Sequence, residues 1–156
     1  MKAIHWTIAA ASLAFVQPTP ALAAQSDPEV LIYRGAGVTD VGGSSFSGTA
    51  TAVHCSNFSG VDENIRFVIR SGQGALLANR AIPVSHLNTV TVVTKPEGIF
   101  TGTTLNTGGI QQGTVAIAST SINVTCTAML VQADLGTPVG IALHMTRFNP
   151  IPATEE

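Results

Sequence analysis

Two cysteines, each set in a run that alternates with period two, constrain this chain more than any other feature. In Ser45 to Cys55, the residues Thr49, Thr51, Val53 and Cys55 share one side, and Ala50, Ala52 and His54 share the other. In Ile122 to Leu130, the residues Ile122, Val124, Cys126, Ala128 and Leu130 oppose Asn123, Thr125, Thr127 and Met129. Such alternation is the mark of a strand with a single core face. Both thiols therefore point inward, and His54, although next to Cys55 in sequence, points away from it. The expectation is a Cys55–Cys126 disulfide with one cysteine in each sheet. The alternative is two buried thiols whose Cβ vectors do not meet. A bridge closing a loop of ~70 residues contributes roughly 4 kcal/mol in the chain-entropy model.

The N-terminus supplies the redox setting. MKAIHWTIAAASLAFVQPTPALAAQ places Lys2 before an apolar run from Ile8 to Val16, then prolines, then small residues around Ala21-Leu22-Ala23. This order is that of a secretory leader, cleaved after Ala23 or one residue later. The apolar run is much shorter than the ~20 residues that span a bilayer, so no membrane span is expected. The domain plan is a leader at 1–23, one β-sandwich domain at 24–148 and a flexible tail at 149–156. The location is secreted or periplasmic, where disulfides persist. Loss of Lys2 with the leader leaves six basic against nine acidic residues, a formal charge of −3. The basic residues form no cluster, so no nucleic-acid partner is expected.

Branched residues and glycine dominate the remainder, charged residues make up 10 % of the chain, and no window has helical periodicity. Asn64 to Arg70 alternates cleanly, with Ile65, Phe67 and Ile69 on one side and Asn64, Arg66, Val68 and Arg70 on the other. Further strands are expected at Val30 to Arg34, Ser45 to Cys55, Leu76 to Val84, Leu87 to Thr94, Thr114 to Ala118 and Gly140 to Thr146. Ser71-Gly72-Gln73-Gly74 reads as a hairpin turn, Pro83 as a sheet edge or strand end, and Thr101 to Thr107 as an exposed loop. The fold class is all-β: an antiparallel β-sandwich of about seven to nine strands, with an open Greek-key barrel as the alternative.

Cys55, the strand centred on Phe67 and Cys126, spread over Ser45 to Ala133, resemble in layout the immunoglobulin-like domains. Those domains pair two core cysteines across their sheets. Phe67 stands where antibody domains carry tryptophan, and Val124 where the tyrosine corner would put its ring. The resemblance is architectural; it implies a bridged sandwich and no function.

Candidate chemistry is sparse. His54, His86 and His144 stand singly and lack zinc-ligand spacing, so no metal is expected. Ser85-His86 reads as a polar pair in a turn, because no nucleophile elbow accompanies it. Asp62-Glu63 reads as solvated loop charge rather than a glycosidase pair. Gly35-Ala-Gly37 and Gly42-Gly43 read as a link between strands, not a phosphate cradle, and no cofactor is expected. Asn57-Phe-Ser59 and Asn123-Val-Thr125 match the glycosylation sequon, and Asn123, inside an expected strand, reads as the poorer acceptor. Arg66 and Arg70 share an outward face and are the candidate recognition residues.

These readings converge on an exported binding or structural module with a protein or glycan partner, more readily than on an enzyme. One alternative is a secreted hydrolase or carbohydrate-active protein with a site built from Ser56 to Glu63, Ser85-His86 and Lys95 to Gly109. The other is a self-associating surface subunit.

Overall fold

The computed structural model describes residues 28–43, 45–134 and 139–148. The expected leader at 1–23 and tail at 149–156 lie outside the described residues. Among the described residues ten strands run β1 Val30–Asp40, β2 Thr49–Asn57, β3 Glu63–Ser71, β4 Leu76–Val84, β5 Thr89–Val93, β6 Thr103–Thr104, β7 Ile110–Ser119, β8 Val124–Gln132, β9 Gly140–Leu143 and β10 Met145–Arg147. They form two five-stranded sheets, β10-β1-β7-β3-β4 and β6-β5-β2-β8-β9, in which only the β5–β6 pairing is parallel. The chain is an all-β sandwich.

The core lies between the sheets and follows the alternation. Ile32, Ile65, Phe67, Ile69, Val115 and Ile117 from the first sheet meet Val53, Cys55, Val92, Val124, Cys126 and Ala128 from the second in one buried cluster. A branched or aromatic side chain at every second position fills a pleated face without strain. Phe67 is fully buried. Emptying its site by Phe67→Ala is expected to cost about 3–5 kcal/mol, measurable as a fall in the urea midpoint with unchanged slope.

The bridge exists, but its placement differs from the expectation. Cys55 and Cys126 are direct partners on the adjacent antiparallel strands β2 and β8, with Cα atoms 4.2 Å apart. That matches the close, non-hydrogen-bonded type of pair, at about 4.5 Å. The disulfide therefore ties two central strands of one sheet and does not join the layers. The layout shared with immunoglobulin-like domains stops at the sandwich. Alternation told which way each thiol points and was silent on which strands are neighbours.

The layers are held instead by the apolar core and by polar stitches. Thr51, on the inner face of β2, accepts from the Thr39 amide at 2.8 Å and donates to the Thr39 carbonyl at 2.9 Å. Gly37, at φ 89°, allows the register shift between Ala36 and Val38 that bends β1 toward this contact. Gly35-Ala-Gly37, expected as a link, is thus part of a strand that continues to Asp40. At the other end Arg147 donates to the Tyr33 hydroxyl at 2.6 Å and to the Ile122 carbonyl at 2.6 Å, closing the gap between the sheets.

Other expectations sort in the same way. The Ser71–Gly74 hairpin joins β3 to β4, with the Gly74 amide on the Ser71 carbonyl at 2.9 Å. Pro83 lies in β4, an edge strand of its sheet. Gly140 to Thr146 is not one strand: it crosses from β9 in one sheet to β10 in the other at His144. Glu63, expected as solvated, opens β3 with no exposed surface, one oxygen hydrogen-bonded to the Thr120 hydroxyl and the other without a partner. Asn57 is equally buried, its amide donating to Val61 and Val84 carbonyls at 2.7 and 2.8 Å, whereas Asn123 is exposed. Asn123 thus precedes β8 and does not lie inside the strand, and of the two sequon asparagines it is the exposed one.

Candidate functional site: an arginine-flanked groove on the outer sheet face

The outer face of the β10-β1-β7-β3-β4 sheet is built from the residues that alternation turned away from the core. Strand register sets them in rows. Arg34 on β1 lies opposite Ala116 on β7, which lies opposite Val68 on β3; one row further, Ala36, Thr114 and Arg70 are aligned. Small residues at the centre and long ones at the flanks make a shallow trough. A groove of about 530 Å³ runs over this floor, lined among others by Arg34, Arg70, Thr114, Ala116 and His144. Its volume falls within the range of small-molecule sites.

The two arginines proposed from sequence both reach this face but stand differently. Arg66 is held by Glu29 through two bonds of 2.5 and 3.0 Å, and by the Asn79 side-chain oxygen at 3.0 Å. The Glu29 hydrogen bond, and secondarily its charge, raise the Arg66 guanidinium above its ordinary pKa. Arg66 is thus an internal strut. Arg70 lines the groove, with one nitrogen on the Gly74 carbonyl at 2.9 Å. Arg34 stands on β1, two strands away in the same sheet, its guanidinium 5.9 Å from the centre of the Phe148 ring. Among the described residues no acidic side chain lines the groove.

The sequence placed neither Arg34 nor His144, which it offers only as a lone histidine without zinc-ligand spacing, on this face. By strict alternation Arg34, at the end of an expected strand, shares the side of the buried Ile32; the register shift between Leu31 and Tyr33 buries both Ile32 and Tyr33 and turns Arg34 outward. Nothing local indicated that β1 and β3 flank the same central strand, β7.

The segments offered for a loop-built site meet in part, around Ser85-His86, while Lys95 lies elsewhere. His86 accepts the Gly60 amide on its Nδ1 at 3.0 Å, so Ser56 to Glu63 and Ser85-His86 do meet at one end of the sandwich. Lys95 lies with the 41–43 turn at the other end, its ammonium on the Val41 carbonyl at 2.7 Å. Thr101 to Thr103 line a second groove with Ser85 and Asn88, and no histidine or carboxylate is among its lining residues. Among the described residues no three or more His, Cys, Asp or Glu side chains converge on a point that could hold a metal ion.

His54 belongs to the outer face of the other sheet, opposite in direction to Cys55. Its Nδ1 lies 2.9 Å from the Thr91 hydroxyl, and its ring meets Phe100 edge-on at 4.6 Å between centroids. The Glu97 carboxylate accepts the Ile99 and Phe100 amides and so fixes the segment that covers this end of the sheet. Burial lowers the His54 pKa below 6.5, outweighing the opposing pull of Glu97. The unfolded chain then binds the proton more readily than the folded one. The stabilising contribution is complete above the unfolded value and is lost as pH falls through the lowered one. Melting temperature is expected to fall as pH drops below about 6.5, and to fall less in His54→Gln, as followed by circular dichroism.

No family model, no curated protein and no solved structure matches the chain.

Proposed function

We propose that this protein is an exported, non-catalytic binding module that receives its ligand on the outer face of the β10-β1-β7-β3-β4 sheet. The observation that carries this reading is the groove itself: two arginines with no facing acid, across a floor of alanine, valine and threonine. Export is supported by the leader-like order of residues 1–23 and by the Cys55–Cys126 bridge. A catalytic role draws no support from this groove. Its lining holds no carboxylate, serine or cysteine to act beside His144.

The test is a titration of the exported chain with a panel of anionic, cationic and neutral fragments, read through backbone amide shifts. Shifts concentrated at Arg34, Ala36, Val68, Arg70, Thr114 and Ala116 are expected. Shifts elsewhere, or none, reject the reading.

A second reading, self-association, rests on β9. This edge strand leaves Ile141 71 % exposed, beside Val139 at 54 %. A second copy adding its own β9 would cover both. Sedimentation showing a monomer over a wide concentration range rejects that reading.

A further inference from the structure

We infer that the groove is selective for a small organic anion carried on an apolar body, such as an aromatic or short aliphatic carboxylate or sulfonate. This deepens the binding-module reading and rests on it.

Three features define the ligand class. The first is charge. Glu29 neutralises Arg66, and the Asp40 carboxylate, 3.2 Å from the Lys95 ammonium, neutralises that cation away from this face. Arg34 and Arg70 remain without an acidic partner in the groove lining, so positive potential concentrates there although the chain as a whole is acidic. A carboxylate or sulfonate satisfies the planar guanidinium fork, which a neutral sugar does not.

The second feature is spacing. Arg34 and Arg70 are two strands apart and two residues out of row. Strand geometry puts their Cα atoms about 12 Å apart. Two long side chains rooted at that distance bracket a single anionic head over the floor.

The third is the floor and its limits. Ala36, Val68 and Ala116 offer apolar surface under the head, worth little to a bare inorganic ion and more to a ring or alkyl chain. Beyond Val68 along β3 the next outward residue is Arg66, already closed by Glu29. The positive track therefore ends after one ligand length, which suits a small molecule and not a polyanion.

Equilibrium dialysis of the exported chain tests this with three probes: naphthalene-2-sulfonate, the uncharged naphthalene-2-methanol and inorganic sulfate. The sulfonate is expected to bind at least about tenfold more tightly than either of the others. Arg34→Gln and Arg70→Gln should each weaken it by about tenfold, while Arg80→Gln on the edge strand β4 should leave it unchanged. Unaltered circular dichroism confirms that each variant is folded. Equal binding of the alcohol, tighter binding of sulfate, or indifference to both arginine substitutions overturns the inference. Amide shifts at the groove from the alcohol alone would overturn the anion class and leave the binding face standing. Shifts elsewhere would remove both.

Discussion

Replacing both bridged cysteines, as Cys55→Ala/Cys126→Ala, is expected to destabilise the domain by about 4 kcal/mol. The removed tie spans 71 residues. In the chain-entropy model its loss frees the unfolded chain by that amount. The lost tie lies between β2 and β8, which keep nine residue pairs in register from Thr49 and Gln132 to Asn57 and Val124. The native sheet therefore has little reason to rearrange, and the effect should fall on the unfolded state. The expected signature is a lower denaturant midpoint and, because the unlinked unfolded chain is more expanded, a steeper slope. An unchanged midpoint in the alanine pair would show that the strand ladder alone accounts for the stability.

The second large effect concerns Lys95 and Asp40, which are 5 % and 4 % exposed. The Lys95 ammonium contacts the Asp40 carboxylate at 3.2 Å and the Val41 and Gly43 carbonyls at 2.7 and 3.3 Å, and the Thr107 hydroxyl donates to the other Asp40 oxygen at 3.2 Å. One cation thus fastens the turn after β1 to the segments on either side of β6. Lys95→Met removes the cation and leaves a buried carboxylate with one hydroxyl for company. A loss of about 3–5 kcal/mol is expected. Lys95→Met/Asp40→Asn should recover a substantial part of it, since no lone charge is then buried. Calorimetry of the two variants against the parent measures both. A double variant no more stable than Lys95→Met would mean that the two orphaned carbonyls, and not the charge, carry the cost.

Nothing local announced this pair. Lys95 sits in Lys95-Pro96-Glu97-Gly98, whose composition is that of a solvated turn, and Asp40 stands one residue before Gly42-Gly43. Both are buried because Ile99 and Phe100 fold back over Ala50, Val131 and Ala133 as a second small apolar cluster, carrying the 95–98 turn inward with them. Glu63 was misread for a related reason. Its place beside Asp62 suggested a loop, but β3 begins one residue earlier than the apolar alternation shows, and its side chain falls on the inner face.

What the amino-acid order determined by itself is the direction of side chains. Successive residues of a strand project to opposite faces whatever lies beside them, so the inward thiols, the outward His54, the buried Ile65, Phe67 and Ile69 and the Ser71–Gly74 turn were all readable. What only the tertiary structure decided is adjacency. Whether Cys55 meets Cys126 within a sheet or across two, and whether Arg34 and Arg70 share a groove, depends on which strands pair over long sequence separations. Pairing is settled by how ten short strands together bury one core, and no single segment carries that information.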